Sequence, residues 1–107
     1  MKKLVPAIMA LATCLLGCAA AHYHERDSER VTLFLRAPGA EKVEFASSLD
    51  AYERHRADKL RRSLWAVSVA ADSEFRYFYI VDGRVVTPEC EFYEKDDFGS
   101  RNCVYVP

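Results

Sequence analysis

The sequence predicts an all-β sandwich: one small domain of about six to eight short antiparallel strands. Three observations carry this reading. Apolar residues recur with period two from Val31 onward, and turn residues interrupt that pattern at close intervals. Once a leader is set aside, 90 residues remain, room for one domain and not for two.

The leader opens the chain. Lys2 and Lys3 precede an apolar run from Leu4 to Leu16 that Pro6 interrupts. The run falls short of the roughly 20 residues that cross a bilayer, so it reads as a signal h-region. It ends Leu15-Leu16-Gly17-Cys18. A small residue before a cysteine at that place resembles the lipobox of bacterial lipoproteins. The resemblance implies a diacylglyceryl group on the Cys18 thiol, cleavage after Gly17 and acylation of the new N-terminus. Several acyl chains on one residue anchor a protein stably, where one holds it only marginally. Ala19, in place of Asp, implies sorting to the outer membrane, facing the periplasm. The alternative is an ordinary secretory signal cut after Ala19 or Ala21. The expected organisation is therefore a signal peptide over 1–17, a lipidated tether over 18–30 and the sandwich over 31–107.

With Lys2 and Lys3 gone, 13 Lys and Arg face 16 Asp and Glu, a net charge of −3 with the signs mixed. No basic patch points to nucleic acid. Residues 19–30, AAAHYHERDSER, contain no aliphatic larger than Ala and fit a solvated arm. His22 and His24 lack a third ligand and supporting hydrogen bonds, so no metal site is expected there.

In the domain, Val31, Leu33 and Leu35 alternate with Thr32, Phe34 and Arg36, and Ala37-Pro38-Gly39-Ala40 supplies a turn. Val43 and Phe45 continue the pattern. Trp65, Val67 and Val69 share one face of the next strand. Phe75, Tyr77, Tyr79 and Val81 share one face of another, opposite Arg76, Phe78 and Ile80. Asp82-Gly83 is a strong two-residue hairpin signal, because glycine accepts the positive φ of a primed turn. Val85 and Val86 begin the return strand, and Val104 to Val106 close the chain. Residues 50–62, DAYERHRADKLRR, resist this reading: eight charges, no β-branched residue, and Asp50–Arg54 and Asp58–Arg62 spaced for helical pairing. They are expected to form a solvated loop with a helical turn.

Three blocks then invite comparison. VTLFLRAPGAEKVEFASS, SLWAVSVAADSEFRYFYIVDGRVV and DDFGSRNCVYVP occur in order over residues 31–107. They resemble the opening, middle and end of glycogen-binding and isoamylase N-terminal modules, relatives of carbohydrate-binding module family 48. That resemblance implies an immunoglobulin-like early-set β-sandwich. It also implies a glucan site in which two tryptophans stack on glucose rings while a lysine and an asparagine bind hydroxyls. Tyr52 falls at the first tryptophan. Val85 falls at the second, and the lysine falls on or next to Phe78, so the strongest stacking platform is missing. Phe98, Ser100 and Asn102 match the closing block. Tyr52, Phe98, Ser100 and Asn102 are thus the candidate carbohydrate residues of a degraded site.

The aromatic surplus of the Phe75–Val81 strand has a second reading. Phe78, Ile80 and Val85 can form an exposed apolar patch for a protein partner. Alternatively, the tether or the charged loop folds over them. Of the cysteines, Cys14 leaves with the leader and Cys18 carries lipid. Cys90 and Cys103 remain as an even pair in an oxidising compartment, a candidate disulfide closing a loop of about 14 residues. The other reading is two buried thiols that never meet. Catalysis finds no support: His55 has no Cys or Ser nucleophile beside it, and Asp96 and Asp97 are adjacent and so face opposite ways when extended. No cofactor, calcium site or other metal is expected. The sequence-level expectation is a non-catalytic envelope module, membrane-bound through Cys18, whose partner is an envelope protein or a glycan.

Overall fold

The computed structural model describes residues 21–70 and 72–107. The leader and Cys18 lie outside the described residues. Among the described residues ten strands form in chain order: β1 (His22–Arg26), β2 (Arg30–Arg36), β3 (Val43–Ser47), β4 (His55–Arg56), β5 (Asp58–Arg61), β6 (Leu64–Ala70), β7 (Phe75–Val81), β8 (Arg84–Val86), β9 (Tyr93–Lys95) and β10 (Arg101–Tyr105). They build two antiparallel sheets, β1-β2-β6-β5 and β4-β3-β7-β10-β9, with β8 paired to β7. This is the all-β sandwich that the period-two pattern predicts.

The alternation becomes the core directly. Val31, Leu33 and Leu35 of β2 are buried opposite Val69, Val67 and Trp65 of β6. From the larger sheet, Val43 and Phe45 meet Phe75, Tyr77 and Tyr79, with Cys103 and Tyr105 closing the layer. Phe45 sits at the centre, its ring 5.5 Å from Tyr77, 5.6 Å from Tyr79 and 6.5 Å from Phe75. Each of these aromatics buries a large apolar area, so the layer supplies most of the driving force for the two sheets to stack.

The turns match their residues. Pro38 and Gly39 occupy the central positions of a turn closed by Ala40 N donating to Ala37 O at 3.1 Å, and Gly39 takes φ 79°. Asp82 and Gly83 are both left-handed, at φ 49° and 84°, as a type I′ hairpin requires. Asp82 does more than turn the chain. Its Oδ1 accepts from the backbone N–H of Glu41 (3.0 Å) and Lys42 (2.8 Å), tying the hairpin to the start of β3. Asp82→Ala is expected to cost about 1–3 kcal/mol by leaving those donors unmet and straining the positive φ, and Asp82→Asn to recover most of it. Chemical denaturation of both variants checks this; equal losses would contradict it.

Two expectations need correction. Residues 22–26 are not a solvated arm: β1 pairs with β2 over five positions, from His22↔Leu35 to Arg26↔Val31. His22 and His24 take core-side positions and pack on aromatics, while Tyr23 stacks on Phe34 at 4.8 Å on the outer side. Residues 50–62 are not helical either. After a 3₁₀ turn at Ser48–Asp50 they give β4 and β5, every residue of which is exposed. Edge strands facing water carry no apolar code, and charge there blocks pairing with other chains. Ala57, 4% exposed between β4 and β5, is the corner where the chain crosses between sheets, its N–H donating to Val43 O at 2.9 Å.

Candidate functional site

The outward face of the larger sheet gathers most of the residues singled out from the sequence. β7 divides its second edge between two partners. Phe75–Tyr77 pairs with β10, and Tyr79–Val81 pairs with β8. Phe78 lies where those partners part, and the gap becomes a groove. The groove encloses about 500 Å³ and is lined by Phe78, Val85, Asp96, Ser100, Arg101 and Asn102, among others. Thr87 staples its two walls, donating from Oγ1 to Arg101 O at 2.8 Å.

One rim is a tight turn built by Asp96. Its Oδ1 accepts from Phe98 N (2.8 Å) and Ser100 N (3.0 Å), and its own N–H donates to Ser100 O. Gly99 completes the turn at φ 86°. These bonds occupy Asp96 and hold Phe98 out at the tip, 92% exposed. The other rim carries Val85, 65% exposed on β8.

The charged loop covers part of this face. Ala51 and Tyr52 are both left-handed, at φ 62° and 63°, and Tyr52 N donates to Ser47 O at 2.8 Å. The resulting hook lays the Tyr52 ring parallel to Phe78, 5.7 Å between centroids and 16° between planes. Ser48 Oγ accepts from Arg76 N at 2.9 Å, and Arg54 approaches Glu44 at 3.9 Å. The expected apolar patch is corrected accordingly. Ile80, beside Glu44 and Val85 in register, is only 1% exposed, so Phe78 and Val85 alone reach the groove.

Of the candidate carbohydrate residues, Ser100 and Asn102 line the groove and Tyr52 stacks on Phe78, while Phe98 is not among the lining residues and projects from the Asp96 turn beside it. Cys18 lies outside the described residues. Cys90 and Cys103 stand at disulfide distance, with Cα atoms 5.8 Å apart. His55 contacts Asp50, whose carboxylate raises its pKa, and Glu53 approaches at 3.7 Å; all three are exposed.

A second recess escaped the sequence reading. It holds about 350 Å³ between β1 and the 89–92 segment, and its lining includes His22, His24, Tyr77, Glu89, Phe92 and Tyr105. The His22 Nε2 lies 3.0 Å from the Tyr79 hydroxyl and 3.5 Å from that of Tyr77. Burial pushes its pKa down to about 4, the neighbouring His24 adds to this, and a backbone hydrogen bond with Glu89 opposes it. Burial likewise pushes the Tyr77 and Tyr79 hydroxyls well up, so both stay protonated. The sequence signal was present: two histidines at i and i+2 share a strand face.

The fold and groove define a small antiparallel sandwich with an open groove on the outward face of one sheet. No protein-family model matches the chain, and no curated protein matches it. No described helix is long and apolar enough to cross a membrane.

Proposed function

We propose that this is a non-catalytic binding module of the bacterial envelope, lipid-anchored through Cys18, that engages a protein partner across the Phe78 groove. The observation that carries the reading is a groove lined by Phe78 and the exposed Val85, beside a turn whose tip holds Phe98 out in water. Apolar groups fixed in solvent beside a concave surface are the usual anchors of a protein interface. The anchor and the outer-membrane placement rest on the Leu15-Leu16-Gly17-Cys18 motif and Ala19. The Cys90–Cys103 pair fits the oxidising compartment that they imply.

A second reading keeps the groove and changes the ligand to an α-glucan or another glycan. Ser100 and Asn102 beside Phe78 and Tyr52 favour it, since polar groups next to aromatic rings suit a pyranose. Val85 in place of an aromatic platform weakens it by about 1 kcal/mol or more. Affinity electrophoresis in glycogen, starch and peptidoglycan-derived glycans separates the two. Migration is expected to be unretarded in all three. Retardation abolished by Tyr52→Ala would replace the protein-partner reading with the glycan one.

A further inference from the structure

We propose that β1 is an acid-released latch: the uncharged His22 imidazole, docked on Tyr77 and Tyr79, holds the open edge of the sandwich shut, and its protonation frees the strand from the larger sheet. The geometry carries this. β1 is the outermost strand of the smaller sheet, so backbone pairing holds it on one side only. Its inward side chains are His22, His24 and Arg26, in register with Leu35, Leu33 and Val31.

Every inward group of β1 meets an aromatic of the larger sheet. His22 packs against Tyr77 (5.7 Å) and edge-on to Tyr79 (5.5 Å), both on β7. His24 meets Tyr105 of β10 edge-on at 5.4 Å, and Arg26 Nη1 donates to the Tyr105 hydroxyl at 3.4 Å. From the loop before β9, Cys90 Sγ lies 3.9 Å from His22 Nδ1, and Glu89 and Glu91 line the recess. β2 offers only the apolar Leu33 and Leu35. Thus the groups touching the His22 ring are hydroxyls, sulfur, hydrocarbon and the Glu89 backbone, whose hydrogen bond favours the proton without outweighing burial. Glu89 and Glu91 are exposed, and neither forms an ion pair with His22 or His24 among the described residues. A charge on His22 would sit in a half-closed recess with Arg26 and His24 on the same strand and no carboxylate paired to it among the described residues.

The sign follows. The docked ring holds its proton less tightly than a free histidine, so docking is fully favoured above the ordinary histidine range. It weakens as pH falls from about 6.5 toward 4. After allowance for the exposed edge of the ring, the docking equilibrium is expected to fall on the order of 30-fold across that window. Release uncovers Tyr79 and Tyr105, now 1% and 4% exposed, next to the half-exposed Phe92. Acid would therefore create an aromatic surface at this edge that neutral pH hides.

The test is hydrogen exchange on the full chain from pH 7.5 to 4, expressed as protection factors, together with an NMR titration of the imidazoles. Protection of His22–Arg26 is expected to fall with pH while Leu64–Ala70 and Phe75–Val81 hold, and His22 is expected to titrate well below 6.5. His22→Phe, which keeps a ring and cannot be protonated, should leave β1 docked at pH 4. Unchanged protection of β1 at pH 4 would overturn the proposal, as would simultaneous loss in all strands. A His22 midpoint at the ordinary histidine value in the unmodified protein would overturn it without recourse to any variant.

Discussion

Phe45→Ala is expected to destabilise the domain by about 3–5 kcal/mol, enough to unfold much of the population of a small domain near room temperature. Phe45 is 0% exposed and touches Phe75, Tyr77 and Tyr79, so truncation removes the ring on which three others pack. The neighbours belong to strands fixed by backbone pairing and cannot close in, leaving a cavity. The contrast is Phe98→Ala. At 92% exposure Phe98 covers nothing, and its loss should stay within about 0.5 kcal/mol. Urea unfolding of the two variants decides: comparable losses would mean that the sheets do not stack through this aromatic layer.

The second large effect concerns Cys90 and Cys103. Cys103 is fully buried on the inner face of β10, across from Tyr77 and Tyr93, whereas Cys90 belongs to a segment with no strand of its own. That segment is held otherwise by a local relay. The Cys90 N–H donates to the Tyr93 hydroxyl at 2.8 Å, which donates to Pro88 O at 3.1 Å. A bridge spanning 13 positions removes roughly 3 kcal/mol of unfolded-chain entropy. The double variant Cys90→Ala/Cys103→Ala is therefore expected to melt roughly 12–24 °C lower than the parent. Reductant should lower the parent to the same point and leave the variant unmoved. Two alkylatable thiols in the non-reduced protein, or identical melting temperatures, would refute the bridge.

The parts of this fold that bury apolar side chains on alternate positions were legible in advance. β2, β6 and β7 show Val31-Leu33-Leu35, Trp65-Val67-Val69 and Phe75-Tyr77-Tyr79 facing inward, and Asp82-Gly83 makes the hairpin turn its sequence announces. β1, β4 and β5 were not legible, for one physical reason. An edge strand needs only backbone partners, so its side chains can be histidines, arginines and aspartates that elsewhere would argue for loop or helix. The groove divides the same way. Ser100, Asn102, Phe78 and Val85 were each singled out from sequence. Their meeting depends on β7 pairing with β10 and β8 on successive halves of one edge. The hook that lays Tyr52 over Phe78 needs two successive left-handed residues, Ala51 and Tyr52, and neither is a type that signals that conformation. Nor did composition show that Ile80 would be 1% exposed on the face where period two placed it.

Binding through the Phe78 groove is tested most directly by site-specific photo-crosslinking in intact envelopes. One probe replaces Val85 on the groove rim, and a second replaces Leu60, 53% exposed on β5 of the opposite sheet. The expected result is a discrete protein adduct from position 85 that Phe98→Ser diminishes, with none from position 60. Adducts from position 60 alone, or no adduct at position 85, would contradict a partner face on this sheet.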